Sequence, residues 1–290
     1  MYEGIYNMDL TSPRTIRNIQ EQFGFTFKKG GQNFLTARNI LEEIVDAAEI
    51  ESGVIEVGPG FGVLTSELAQ NSDKVVTIEI DERLIDVLDY TLAEYDNVKI
   101  INEDILKLDL KKVIDDEFNG EKVSIAANLP YYITTPIITK LLEEKLPIKN
   151  IVVMVQKEVA ERMSAKPSTK DYGAITVLCQ YYTEPSIVAN VPASLFVPPP
   201  KVDSAVLKLK VLDKPSVEVK DEGVFFRVVK AAFSQRRKTL LNCLSANFPI
   251  PKDEISTLLE SIGIAPSRRG ETLSLEEFAN IADTLLQKIK

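Results

Sequence analysis

The chain has no histidine, and only two cysteines, Cys179 and Cys243, in 290 residues. Without histidine there is no Ser-His-Asp or Cys-His catalysis, no His-ligated zinc and no zinc-dependent base deamination. Two cysteines far apart in sequence make neither a metal cluster nor a disulfide framework. Each reads as a small buried hydrophobe, a cytoplasmic setting is expected, and no metal is. Long apolar runs are also missing: none approaches the ~18 to 20 residues of a membrane span. The opening MYEGIYNMDLTSPRT lacks the basic-then-apolar order of a secretory signal and is not rich in arginine and serine like a transit peptide. What remains is a globular composition, 44% hydrophobic and 27% charged. Its length suits one large α/β domain with a small appendage, or two domains.

An excess of basic charge is lacking too. The net charge of −9, from 34 Lys+Arg against 43 Asp+Glu, taken whole argues against a nucleic-acid partner. The distribution qualifies this. Residues 41–120 carry a net charge of −15 and the other 210 residues +6, so a polyanion would have to lie away from 41–120. Three basic clusters lie outside that segment: Arg14, Arg17, Lys28, Lys29 and Arg38; then Lys157, Arg162, Lys166 and Lys170; then Arg227, Lys230, Arg236, Arg237 and Lys238, with no acid between 223 and 251. The last cluster is the candidate RNA-binding surface. Phosphate contacts of this kind supply affinity, not base choice.

Thr11-Ser12-Pro13 opens a helix-like stretch to about Gln22, and Thr36 is placed to cap a helix with Ile40, Leu41, Ile44, Val45 and Ala48 on one face. Apolar strand-like runs then recur at 54–57, 75–80, 98–101, 123–127 and 151–155. Helix-like stretches separate them at about 63–70, 82–95, 109–117 and 134–145. Continuous apolar strands alternating with helices mean an α/β fold with a parallel sheet covered on both faces. After 157 the pattern changes. Residues 157–165 and 172–182 look helical, runs at 186–191 and 203–211 look like strands, and Pro198-Pro199-Pro200 between them is a stiff connector. Helices are predicted over 221–247, 251–262 and 274–289. The expected organisation is an N-terminal extension at 1–24, an α/β domain at 25–213 and a small all-helical domain at 214–290.

The first strand runs into Glu56-Val57-Gly58-Pro59-Gly60-Phe61-Gly62. Glycines there let the backbone turn tightly and approach a ligand at the carboxyl end of a strand. A dinucleotide site would want G-x-G-x-x-G, but the third glycine position is Val63. G-x-G-x-G with an acid two residues before it is the form used by S-adenosylmethionine (SAM) binders, which have no pyrophosphate to cradle. Later strand ends carry further candidates. Glu79 lies 21 residues after Gly58, Asp104 lies 25 after Glu79, and Asn128 lies 24 after Asp104. Each falls where a parallel sheet delivers its ligand-binding edge. A carboxylate after the second strand suits a ribose diol, and Asp104 is placed to accept from an adenine amino group.

Asn128-Leu129-Pro130-Tyr131-Tyr132 resembles the motif of methyltransferases that act on exocyclic amino nitrogens. The lone pair of adenine N6 is delocalised into the ring. Two acceptors, the Asn128 side-chain oxygen and the Leu129 carbonyl, can hold the N6 hydrogens and localise that pair. Pro130 fixes the turn. Tyr131 offers a face for base stacking, worth roughly 1–3 kcal/mol per base. No histidine is required, because the sulfonium of SAM is already a good leaving group.

Taken together, Gly31-Gln32-Asn33-Phe34-Leu35, GPGFGVLT (58–65), NLPYYI (128–133), FVPPPKVDSAV (196–206) and FSQRRKTLLN (233–242) resemble the small-subunit ribosomal RNA adenine N6-dimethyltransferase (dimethyladenosine transferase) family. The resemblance spans about 30 to 242. It implies a Rossmann-like SAM-dependent methyltransferase domain with a helical C-terminal domain. It also implies an enzyme that dimethylates two adjacent adenosines in the 3′-terminal hairpin of small-subunit rRNA, on an assembling small ribosomal subunit. A monomer without a membrane partner is expected. By the same resemblance Asn33 and Leu35 would close over SAM, Gly58 and Gly60 would contact it in the glycine loop, Glu79 would hold its ribose and Asp104 its adenine. Asn128 would line both cofactor and target base, and Phe196 would sandwich the target adenine against Tyr131. Lys29-Gly30 departs from the basic-aromatic pair of many relatives. Two rival readings remain. One is a large-subunit rRNA adenine methyltransferase of the antibiotic-resistance type, which usually carries Ile at the position of Leu129. The other is a ribosome-assembly factor with no required catalysis, against which the intact Asn128–Tyr131 motif argues.

Overall fold

The computed structural model describes residues 8–25 and 33–289. The chain divides into two compact units. One is built from residues up to Ala160 together with Pro185–Val211, and the other from Glu161–Glu184 and the residues from Leu212.

The first unit runs α1 (Pro13–Phe23), β1 (Phe34–Leu35), α2 (Arg38–Ala48), β2 (Val54–Val57), α3 (Val63–Gln70), β3 (Val75–Glu79), α4 (Ile85–Thr91), β4 (Val98–Asn102), α5 (Leu110–Phe118), β5 (Val123–Asn128), α6 (Thr134–Glu143) and β6 (Ile148–Gln156). After α7 (Lys157–Met163) and α8 (Ala174–Tyr182) come β7 (Thr183–Val191), β8 (Phe196–Val197) and β9 (Ser204–Val211). Seven strands form one sheet in the order β4-β3-β2-β5-β6-β9-β7. β2 to β6 are parallel to their neighbours, with Val54 opposite Val75 on one side and opposite Ser124 on the other. β9 runs antiparallel to β6. The sheet is therefore mixed, and the parallel expectation holds for its first five strands. β2 and β3 are buried along their whole length, as strands covered on both faces must be.

β3 and β4 lie on one side of β2, and β5 and β6 on the other. The strand order thus reverses beside β2, a topological switch point where a crevice opens at the carboxyl ends of the strands. A two-stranded antiparallel ribbon, β1 with β8, pairs Phe34 with Val197 and Leu35 with Phe196. Thr36, predicted as a helix cap, instead donates its hydroxyl to the Leu195 carbonyl at 2.9 Å, and Ala37 precedes α2. The Thr36 N–H donates to the same carbonyl at 2.9 Å, so both groups of this residue serve the chain beside the ribbon and not the helix start.

Residues 1–24, expected as an extension, include a helix that belongs to this core. Pro13 fills the first turn of α1, where its missing N–H costs nothing. Ile16 and Ile19 are buried with residues of α2, α3 and α4, and the Phe23 ring lies 5.5 Å from that of Tyr90.

The second unit contains α9 (Glu222–Ala232), α10 (Leu240–Asn247), α11 (Lys252–Ser261) and α12 (Leu275–Ile289). The helix predicted over 221–247 is two helices. Residues 233–239 break it, and the Thr239 hydroxyl caps α10 by accepting from the Asn242 N–H. Where one boundary was expected at 213/214, the chain crosses between the units at 160/161, 184/185 and 211/212, since Glu161–Glu184 packs with the C-terminal helices. Tyr181 of α8 stacks on Phe225 at 4.7 Å, and the Tyr182 hydroxyl donates to Glu222 at 2.6 Å. Cys179 is buried here with its thiol pushed up to about 12 by burial, and Cys243 is buried as well. Among the described residues no helix is long and apolar enough to cross a membrane.

Candidate active site

A cavity of about 410 Å³ opens at the switch point, within the 300–1,000 Å³ usual for small-molecule sites. Asn33, Leu35, Gly58, Gly60, Glu79, Asp104, Asn128, Leu129, Pro130 and Tyr131 all line it. Four consecutive βα units and the β1 ribbon therefore bring sequence-distant candidates to one place.

The glycine loop needs its glycines. Gly58, Gly60 and Gly62 have φ of +72°, +60° and +85°, the left-handed region that side chains disfavour. A Cβ on Gly60 would stand 2.9 Å from the Phe34 ring, and one on Gly62 would stand 2.9 Å from Leu92. At Gly58 a Cβ would meet nothing within 4 Å, so the main chain is bare toward open space. Phe34 also stacks on Phe61 at 4.3 Å, which ties the β1 ribbon to this loop.

Glu79 ends β3 and is only 5% exposed. Burial raises its pKa, while main-chain N–H groups of Asp81, Gly60 and Ile80 oppose the rise; the Asp81 N–H donates at 2.7 Å. A carboxylate so oriented keeps acceptor positions for hydroxyl donors. Asp104 follows β4, and its Oδ1 accepts from the Leu106 N–H at 3.0 Å in a turn. Asn128 ends β5. Its Nδ2 donates to the Asn33 main-chain carbonyl at 3.2 Å, which turns Oδ1 into the amide's remaining acceptor. The Leu129 N–H donates to the Met154 carbonyl on β6 at 3.2 Å. The Pro130 carbonyl accepts from the Ile133 N–H at 3.2 Å and from the Thr134 hydroxyl at 3.3 Å, closing a tight turn. Tyr131 is half-buried, its hydroxyl sharing a hydrogen bond of 2.9 Å with Ser204 at the start of β9.

Phe196 departs from expectation. It does not line the cavity: it is 3% exposed, belongs to the core around α1 to α4, and sits on β8 opposite Leu35. Its ribbon partner Leu35 shares that core and does line the cavity. The cavity is also lined by Ile80 and Glu103, which no motif marked, and by Glu56 and Tyr132, which were named within motifs but given no role of their own. Glu56 is the acid before the glycine loop, and it lies inside a strand that is buried throughout. Its pKa is raised to about 7 by burial, against the Thr65 hydroxyl, which donates to it at 2.5 Å.

In the helical unit, Arg227, Lys230, Arg236, Arg237 and Lys238 are all exposed. The Arg227 guanidinium lies over the Phe248 ring at 4.4 Å and donates to the Asn247 carbonyl at 2.9 Å. Arg236 donates to the Lys170 carbonyl at 2.5 Å, which ties the third basic cluster to the last residue of the second. In the first cluster, Arg38 lies 3.8 Å from Glu67 and 3.9 Å from Asp9, while Lys28 and Lys29 lie outside the described residues.

The family model for ribosomal RNA adenine dimethylase matches residues 25–287. The chain belongs to that family. Ribosomal RNA small subunit methyltransferase A of Bacillus mycoides is 54% identical over 285 residues, covering 96% of this chain and 98% of the relative. The protein of the same name from Bacillus anthracis matches to the same extent. Among solved structures, a dimethyladenosine transferase from Plasmodium falciparum is 29% identical with a TM-score of 0.73, covering 88% of this chain and 98% of that one. The 23S rRNA methyltransferase ErmE is 28% identical with a TM-score of 0.67, covering 88% and 100%. This member of the dimethylase family is thus an rRNA methyltransferase with the α/β methyltransferase fold expected from its motifs. Among its described residues no group of three or more Cys, Asp or Glu could hold a metal ion.

Proposed function

We propose that the protein transfers two methyl groups from SAM to N6 of each of two adjacent adenosines in the 3′-terminal hairpin of small-subunit rRNA, on a subunit under assembly. The reading takes a single copy of the chain as the working unit. The observation that carries it is the setting of Asn128: a strand-end amide whose nitrogen is tied to Asn33, beside Pro130 and Tyr131, on the same cavity as Glu79 and Asp104.

The cavity fits the cofactor. A bare backbone at Gly58 suits close approach, and two carboxylates at successive strand ends suit a ribose diol and an adenine amino group. Asn33 and Leu35 close one side, Gly58 and Gly60 the loop side, Glu79 holds the ribose and Asp104 the base. When bound, SAM supplies a methyl group made electrophilic by its sulfonium. The chain's own work is on the nucleophile. Asn128 Oδ1 and the Leu129 carbonyl accept the two N6 hydrogens and draw the lone pair out of the ring, a task of positioning and electrostatic complementarity. Pro130 holds the turn, and Tyr131 stacks on the target base. Ser204, by holding the Tyr131 hydroxyl, keeps that ring from swinging. Phe196 acts from behind, by fixing Leu35 across the β1–β8 ribbon. Arg227, Lys230, Arg236, Arg237 and Lys238 contact rRNA phosphates.

The likeness to ErmE favours a second reading, methylation of the large subunit. The 54% identity to proteins named for the small subunit supports the first. Incubation of the protein and labelled SAM with small and large subunits separately decides between them: label on small subunits is expected, and label on large subunits alone overturns the proposal.

A further inference from the structure

The turn that carries the two acceptors holds two tyrosines in opposite settings. The Ile133 N–H bonds to the Pro130 carbonyl, so Tyr131 and Tyr132 occupy the two corners of a four-residue turn. Both line the cavity. Tyr131 is half-buried and tethered to Ser204, whereas Tyr132 is 76% exposed. Among the described residues no other tyrosine or phenylalanine is exposed to this degree. Nothing in the fold is served by an aromatic face in water, and its neighbours in sequence are the residues that meet the target base.

The chemistry of the reaction supplies an occupant. A base whose exocyclic nitrogen must reach Asn128 has to leave its stack. The next base along the strand then loses a stacking partner. Aromatic faces bind such bases with little regard to sequence. Adjacent residues are ~3.8 Å apart at Cα, so one turn can offer its two rings to consecutive nucleotides.

We propose that Tyr132 is the stacking platform for the nucleotide next to the target, a purine when that neighbour is the second adenosine. The two tyrosines divide the dinucleotide between them: Tyr131 takes the base being methylated, and Tyr132 takes the one waiting or already modified. This rests on the function proposed above.

The test compares Tyr132→Ala, Tyr132→Phe and the wild-type protein on unmethylated small subunits. Tyr132→Ala is expected to raise KM for the subunit roughly ten-fold, with kcat for the first methyl group and SAM affinity unchanged. It should also leave more product with a single modified adenosine. Tyr132→Phe keeps the ring and should stay within about two-fold of wild type. A direct probe is a single-stranded RNA with 2-aminopurine beside the target adenosine, whose fluorescence should be quenched by wild type and by Tyr132→Phe but not by Tyr132→Ala. An alanine variant with wild-type KM, product pattern and quenching overturns the platform and leaves the parent reading intact. A loss of SAM affinity in Tyr132→Ala moves the ring to the cofactor side and also overturns it. A wild-type protein that labels no small subunit takes both proposals down.

Discussion

Replacing Glu56 by glutamine should stabilise the protein in the absence of SAM, and more at pH 8 than at pH 5. Burial lifts the Glu56 carboxyl from 4.5 to about 7, and the nearby Glu79 carboxylate pushes the same way, against the hydrogen bond from Thr65. The folded state therefore binds this proton more tightly than the unfolded chain does. The stability it contributes is full below about pH 4.5, falls as pH rises, and levels off above about pH 7. For a shift of this size the wild-type protein loses about 2.5 kcal/mol between pH 5 and pH 8 through this one group. That is about 5–10 °C in melting temperature for a domain of this size. Glutamine keeps the shape and can accept from Thr65, but has no proton to lose. Melting curves of both proteins across pH 5 to 8 measure the difference directly. A gap between the two melting temperatures that stays constant over this range refutes the buried-carboxylate argument.

Three further outcomes are expected. Asn128→Ala should leave SAM binding largely intact and lower single-turnover methyl transfer at least ~100-fold, the scale of one lost transition-state acceptor; a near-wild-type rate removes Asn128 from catalysis. Ser204→Ala and Tyr131→Phe should each lower kcat/KM for the subunit by roughly three- to ten-fold without changing SAM affinity, and the double variant should be no worse than either, because both remove the same hydrogen bond; additive losses contradict the tether. Arg236→Glu with Arg237→Glu should weaken subunit binding and flatten its salt dependence while SAM affinity holds; identical binding curves at low and high salt reduce the loop to a solvated surface.

The parallel part of the fold was legible because its inner strands are buried on both faces and read as short apolar runs, as Val75–Glu79 does. The site was legible for a related reason. A parallel sheet puts its strand ends on one edge, so Gly58, Glu79, Asp104 and Asn128 had to meet once the strands were in register. What escaped depended on contacts between distant segments. Two-residue β1 and β8 carry no periodicity, so the pairing of Leu35 with Phe196 had no local sign, and the Phe196 ring was expected in the cavity when it faces the core. The helix of α8 was visible in its apolar spacing, but its packing on Phe225 was not, and Glu161–Glu184 was therefore grouped with the wrong unit. Ser204 lies 73 residues from Tyr131, and no spacing rule connects a serine to a tyrosine hydroxyl at that distance.

The charge distribution acquires a structural meaning. The acidic segment 41–120 contains most of α2, all of α3 to α5 and the strands that deliver Glu79 and Asp104, while the exposed Arg236, Arg237 and Lys238 belong to the other unit. A net charge of −9 is thus compatible with an RNA substrate.

The central claim is that Asn128 and its neighbours direct methyl transfer to adenine N6 in small-subunit rRNA. The most direct measurement is mass-spectrometric mapping of the 3′-terminal rRNA fragment after small subunits lacking the modification are incubated with the protein and SAM. Two methyl groups on N6 of each of two adjacent adenosines are expected with wild type, and none with Asn128→Ala. Methyl groups at any other atom or only on large-subunit rRNA, or an Asn128→Ala product identical to wild type, would contradict the account.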